Sequence, residues 1–328
     1  SGFRKLTGSR GMATERADGA RALVVGADSL VGAALLAEFT RAGQGSYGTT
    51  RHSGSVAGDF LYLDLADDNL NLAVPKDVDV VFLVAAMASY RACEVDPLAY
   101  RVNVTNSIRL AGQVWQQGCR LVFISSNSVF GGERPFCHED DAVSPGIAYS
   151  RHKADAEAGL RALAAEMDAI ERLNIVRLTK VLTTNVPPLP DWFARLDAGE
   201  RIQPFADMAF APISLASTVA SLRNIGNSGL PGVFHLSGAD NVSYLAFAHC
   251  LVAEMGLRPE FVVPTTAEAA GVELVWNPRY SAIGMVRTKE LLGIEPEPLD
   301  AVVARLVAER REFRDVAQPA LSLRRHMP

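Results

Sequence analysis

The chain has 328 residues, 48% of them hydrophobic, which is enough to bury one large core, or a core with a smaller domain against it, and argues against a disordered chain. Its net charge of -5, its pI near 5.7 and the lack of any long Lys/Arg run give no broad basic surface for nucleic acid. Four cysteines without a CxxC pair and six histidines without ligand spacing give no sign of a disulfide framework or a metal site, and no apolar run reaches the roughly 20 residues of a membrane helix. A cytoplasmic protein is expected from this usage.

Ser1 to Lys5 resemble the stub left by a viral main-protease tag-removal site, and Leu6 to Gly11 read as vector linker before a start at Met12. Residues 1–19 are therefore expected to be a remnant of expression and disordered. Arg21 to Ala27 is a short apolar run, and Leu30 to Ala42 carries apolar residues at helical spacing until Gly43 stops it. Short strands are predicted over Tyr47 to Thr50 and Phe60 to Leu63, and a strand buried on both faces over Val78 to Ala86. Pro97 introduces a long predicted helix, Leu98 to Gln117. A buried strand over Arg120 to Ser125, an Ala-rich helix over Ala148 to Met167 and a strand over Ile175 to Leu182 follow.

Strands separated by helices throughout imply an α/β fold: a Rossmann-type doubly wound parallel sheet. The texture changes after Leu182, at the proline cluster Pro187, Pro188 and Pro190. We therefore expect an NAD(P)-binding Rossmann domain over 20–182 and, mainly over 183–328, a smaller C-terminal substrate-binding domain, with a strand near 232–238 returning to the main sheet. Leu299 to Phe313 reads as a core-facing helix.

Gly26 to Gly32 lies at the first strand-to-helix turn. Glycines there let the backbone approach a pyrophosphate, and the helix N-terminus offers free N–H groups and a positive dipole. Gly26, Asp28, Ser29, Leu30, Val31 and Gly32 are thus candidate cofactor contacts. Ser29 stands where a GxxGxxG pattern has its middle glycine, so taken alone the segment also reads as an ordinary tight turn. The second strand ends at Thr49 to His52 without a carboxylate for a ribose 2′-hydroxyl. Arg51 either pairs with a 2′-phosphate, which favours NADP over NAD, or is a solvated surface charge. Asp64 and Leu65 are placed near an adenine ring, Asp64 serving equally well as a helix cap.

Tyr149 and Lys153 open a helix four residues apart, which puts them one turn apart on one face. Carbonyl reduction by hydride transfer leaves an alkoxide that needs a proton, and a phenol of ordinary pKa about 10 becomes a useful acid or base when nearby positive charge lowers it. Lys153 supplies that charge and a grip on ribose hydroxyls. Ser126, at the C-terminal end of its strand, is placed to hydrogen-bond a substrate oxygen, with Ser125 and Ser128 as rivals.

Together these residues resemble an extended short-chain dehydrogenase/reductase, and their order over nearly the whole chain resembles the dTDP-4-dehydrorhamnose reductase family. The resemblance is carried by Cys93, Glu94, Pro97, Tyr100 and Val102 to Val104, by Phe123 to Gly131, and by Glu139 to Asp141 with Pro145 before the tyrosine. It continues through Phe193, Gly199, Glu200, Phe205, Asp207 and Pro212, then Phe234 to Gly238 and Asn277 to Ser281. It implies NAD(P)H-dependent reduction of a keto group on a sugar nucleotide, with Tyr149 as proton donor, Lys153 as ribose anchor, Ser126 orienting the carbonyl and Asn103 supporting the lysine. Ala85 and Ala86 complete the candidate cofactor set; Ala88, Tyr90, Ser126, Asn127 and Lys180 form the candidate substrate set. Lys180 stands where the family usually has a tryptophan beside the sugar ring, and Ala88 and Tyr90 replace its usual Thr and Val. A lysine there suits a carboxylate or phosphate. Two other readings stay open: a sugar-nucleotide epimerase that holds its cofactor tightly, and a catalytically silent NADP-binding regulatory subunit. Asn127 and Ser128 stand where a dehydratase needs acidic groups. The expected partner is a small-molecule substrate, with no nucleic acid and no membrane, and with a homodimer left open.

Overall fold

The computed structural model describes residues 19–324, with side chains to Glu312. The tag remnant and disorder expected over 1–19 fall outside the described residues apart from Gly19. Strands β1 (Ala22–Val25), β2 (Ser46–Thr50), β3 (Phe60–Tyr62), β4 (Val80–Leu83), β5 (Arg120–Ser126) and β6 (Leu173–Leu178) precede the short β7 (Lys180–Leu182), β8 (Ala209–Phe210) and β9 (Pro212–Ser214), then β10 (Gly232–Leu236) and β11 (Val242–Ser243). Seven of them form one parallel sheet in the order β10-β6-β5-β4-β1-β2-β3. β1 and β4 consist wholly of buried apolar residues, and such strands require cover on both faces.

The helices in chain order are α1 (Leu30–Arg41), α2 (Tyr90–Val95), α3 (Pro97–Tyr100), α4 (Asn106–Gln116), α5 (Ala148–Glu166), α6 (Leu189–Asp197), α7 (Leu215–Ser228), α8 (Tyr244–Glu254), α9 (Val286–Leu292) and α10 (Leu299–Arg324). On one face of the sheet Leu110, Val114 and Trp115 of α4 and Leu160 of α5 pack against Val81, Leu121 and Phe123. On the other, Leu35 and Phe39 of α1 and Leu222 and Ile225 of α7 pack against Val24, Phe82 and Val122. Each of these side chains contributes about 1.5–3 kcal/mol by leaving water. This is the expected doubly wound sheet. A further core gathers Trp192 and Phe193 of α6, Phe247 and Leu251 of α8, and Val302, Val303 and Leu306 of α10. Among the described residues no helix is long and apolar enough to cross a membrane.

Three predicted elements differ in extent. The single helix expected over Leu98 to Gln117 is α3, a π-helical turn (Arg101–Thr105) and α4. The Asn103 side chain inside that turn is bonded to both the N–H and the C=O of Met87, and Ser107 Oγ donates to Val102 O at 2.9 Å. The strand expected over Ile175 to Leu182 breaks at Thr179. The N–H of Thr179 still bonds Leu236 O beside β10, but that of Lys180 bonds Ala211 O, so β7 leaves the main sheet to pair with β9. The run Val78 to Ala86 is a strand only to Leu83, because Val84 and Ala85 both donate to Val25 O and the chain then peels away.

Candidate active site

The strand order reverses between β1 and β4, and at such a point the loops beyond the carboxyl ends splay into a crevice. Two cavities open there, one of about 420 Å³ and one of about 600 Å³. The chain beyond β4 contributes to both: Ala85, Ala86 and Met87 to the smaller, Ala88 and Tyr90 to the larger.

The smaller cavity lies under the β1–α1 turn. Gly26 has φ +91°, and a Cβ there would lie 2.7 Å from the backbone N of Ala85, so glycine alone fits where the turn meets the chain after β4. Gly32 is a packing glycine, since its Cβ would meet Gly26 O at 2.1 Å. Ser29 caps α1: its hydroxyl accepts from Gly32 N at 3.1 Å and donates to Gly26 O at 2.7 Å. The N–H groups of Leu30 and Val31, in the first turn, have no intrahelical acceptor. Their side chains do not line the cavity: Leu30 is exposed and Val31 packs against the α1–α7 core. Asp28, Ser29, Arg51, Asp64, Leu65, Ala85 and Ala86 all line it, with Leu63, Leu98 and Val102 giving it an apolar slot. The Arg51 guanidinium is exposed and makes no ion pair among the described residues, while Asp64 Oδ1 accepts from Ala66 N at 2.8 Å as a turn cap. This combination of close backbone, free N–H groups, an unpaired cation and an apolar slot fits a dinucleotide.

In front of the larger cavity stand Ser126, at the end of β5, and Tyr149, in the first turn of α5. Glu94 of α2 fixes the start of α5 by accepting from Ala148 N at 2.7 Å. Ser126 Oγ accepts from Ser128 N at 3.2 Å and from Ser128 Oγ at 3.0 Å, which leaves its own proton for a ligand oxygen or for Asn127 Oδ1 at 3.4 Å. Ser126 alone of the three candidate serines lines the cavity; Ser125 Oγ is bound to Glu157 at 2.6 Å.

Lys153 lies one turn beyond Tyr149, buried, with Nζ donating to Ile124 O at 2.8 Å and 5.9 Å from the Tyr149 ring centre. Burial pushes its pKa down to about 8, and Glu157 opposes that shift. Glu157 is itself held by Arg177 through two bonds of 3.0 and 2.7 Å. Lys153 was expected to draw the phenol of Tyr149 down. Burial dominates instead and, with Tyr90 and Cys93 beside it, raises the phenol above its ordinary range, while the Ser126 hydroxyl pulls the other way. Tyr149 is therefore a proton-holding acid at neutral pH.

Ala88, Tyr90, Ser126, Asn127 and Lys180 all line the larger cavity. Tyr90 packs on Tyr149 with ring centres 5.4 Å apart, and the Asn127 amide is spent on Ser281, at 2.8 and 3.0 Å. Asn103 is apart from both cavities' linings, its amide committed to Met87. Met208, Phe210, Tyr244 and Trp276 complete the wall without having been singled out in the sequence. Trp276 borders the Asn277 to Ser281 segment, and its ring stands edge-on to Tyr90 at 6.1 Å.

The family model for the RmlD substrate binding domain matches residues 20–312. The chain belongs to the RmlD substrate-binding domain family. It is 27% identical over 259 residues to dTDP-4-dehydrorhamnose reductase of Mycobacterium tuberculosis, covering 75% of this chain and 79% of that one. To methionine adenosyltransferase 2 subunit beta of Xenopus laevis it is 26% identical over 273 residues, or 79% of each chain. The solved structure of dTDP-4-dehydrorhamnose reductase from Bacillus anthracis in complex with NADP superposes with a TM-score of 0.73 at 20% identity, over 89% of this chain and 99% of that one. The family resemblance carried by the ordered motifs is thus borne out, and the structural likeness extends it to the fold.

Proposed function

We propose that this RmlD-family chain is a cytoplasmic NAD(P)H-dependent reductase of a keto group on a nucleotide-linked sugar. The observation that carries the reading is the convergence of Ser126 and Tyr149 on a 600 Å³ cavity beside a dinucleotide-shaped one, with Lys153 buried behind them. A bound nicotinamide dinucleotide would supply the hydride. Gly26, the free N–H groups of Leu30 and Val31, and Arg51 would hold its phosphates, Asp64 and Leu65 would flank its adenine end, and two remaining Nζ protons of Lys153 would grip a ribose. Arg51, whose guanidinium makes no ion pair among the described residues although its backbone N–H donates to Asp28 Oδ2 at 3.4 Å, favours NADP over NAD.

Ser126 donates to the carbonyl oxygen and fixes its position. Tyr149 holds its proton until negative charge develops on that oxygen and then gives it up, while the Lys153 charge steadies the phenolate left behind. The likeness to a methionine adenosyltransferase subunit supports a second reading, a cofactor-binding chain without turnover. Titration calorimetry with NADPH and NADH, run beside NADPH oxidation against a panel of nucleotide-linked keto sugars, separates them. Oxidation that disappears in Tyr149→Phe is expected. Cofactor binding without oxidation across the panel would favour the silent subunit or an epimerase, and no binding of either cofactor would remove the reductase reading.

A further inference from the structure

Lys180 is the sole charged side chain among the described residues that line the larger cavity, and none of those residues is acidic. Its ammonium makes no ion pair and no side-chain hydrogen bond among the described residues. Its backbone, by contrast, is fixed: Lys180 N donates to Ala211 O at 3.2 Å and the residue pairs with Pro212 of β9. Solvent still meets the side chain, but the walls strip part of its hydration and lower its pKa. A cation held so, with no counter-charge, is in place for an anion that arrives with the ligand.

Register sets where that anion would lie. Leu178 of β6 is the direct Cα partner of Ser126 on β5, and Lys180 is two residues further along the chain. Two extended residues span about 7 Å. The lysine root is thus close to the level of the reacting carbonyl, within reach of a substituent a few bonds away from it. We infer that Lys180 receives an oxyanion carried by the substrate: a carboxylate on the sugar ring, in which case it selects acidic sugar nucleotides, or a phosphate of the nucleotide link, in which case it anchors any of them. This rests on the reductase reading for the role of the cavity.

The test uses the NADP-loaded full chain and two ligands that differ in one group, UDP-glucuronate and UDP-glucose, titrated into the wild type, Lys180→Met and Lys180→Arg. Equal melting temperatures establish that the variants are folded. If a ring carboxylate is read, UDP-glucuronate binds the wild type about tenfold or more tighter than UDP-glucose, as expected of a charge-assisted bond. That preference then vanishes in Lys180→Met and survives in Lys180→Arg. If a phosphate is read, both ligands weaken about tenfold in Lys180→Met with no preference between them. Lys180→Met binding both ligands like the wild type overturns the inference, as does failure of either ligand to bind a wild type that takes NADP. Failure to take NADP removes the reductase reading, and this inference with it.

Discussion

The cavity under the β1–α1 turn takes its lining from Val25 to Val102, whereas the cavity before Tyr149 draws on segments scattered from Ala88 to Ser281. The first is made almost wholly of strand ends and the turns that follow them, so its shape follows from the sheet. The second is closed by chain beyond β6, where β7 pairs with β9 and β8 with β11 outside the main sheet. One cavity is a property of the fold, and the other is a property of where loops happen to meet. Substitutions should therefore separate cofactor binding from substrate turnover cleanly.

The largest effect is expected at the boundary. Tyr149→Phe should lower NADPH oxidation by about 10²–10⁴-fold, the usual worth of a positioned proton donor, and leave NADPH affinity unchanged in calorimetry. A large loss of cofactor affinity in this variant would mean that the two cavities are not separable. Gly26→Ala should act in the opposite sense. With φ at +91° and a Cβ within 2.7 Å of Ala85, the substitution forces the turn open. A cost of about 1–3 kcal/mol is expected, read as at least a several-fold loss of NADPH affinity and a lower melting temperature. Unchanged affinity would sink the assignment of this turn to the cofactor.

The same contrast explains what could be read from the sequence. The seven-stranded sheet was legible because β1, β4 and β5 are apolar runs spaced by amphipathic helices, and the Tyr149–Lys153 pair was legible because four residues make a helical turn. Ser126 follows from its position at a strand end, whereas Lys180, inside the strand expected over Ile175 to Leu182, was marked only by the family resemblance. The break at Thr179 was not legible: Ile175 to Leu182 contains no glycine, proline or other turn signal, while its backbone partner changes from Leu236 to Ala211. Phe210, Tyr244 and Trp276 were missed for a related reason. Phe210 lies on the two-residue β8, Tyr244 at the start of α8 and Trp276 outside any helix or strand, and tertiary contact alone brings them to one wall. The phenol's upward shift could not be foreseen, since spacing gives the Lys153 neighbour but not the burial that outweighs it.

A smaller effect sharpens the reading of the first cavity. Arg51→Gln should weaken NADPH about tenfold, the loss of one charge-assisted contact, and leave NADH affinity as it was. Equal losses for both cofactors would mean that Arg51 shapes the cavity and does not read a 2′-phosphate.

The smallest effect concerns pH, and its sign is fixed by Lys153. The charged form of this lysine does the work, and burial brings its pKa from 10.5 down to about 8. Tyr149 moves the other way and keeps its proton through this range. Turnover should therefore hold level below neutrality and decline as pH rises through about 8, falling about threefold between pH 7.5 and 8.5 for a single titrating group. The stability consequence has the opposite direction. Between about 8 and 10.5 the unfolded chain keeps a proton on this lysine that the folded chain has released, so Lys153 by itself makes stability increase with pH over that window. Below it, the folded protein carries the whole cost of a buried charge. Lys153→Met should accordingly lose turnover while gaining up to about 1–2 kcal/mol of unfolding free energy at pH 7, because the apolar stem refills the space without the charge. Urea melts at pH 7 decide the point: a Lys153→Met protein less stable than the wild type would mean that the bond to Ile124 O outweighs the desolvated charge, and that the lysine serves the fold before it serves the site.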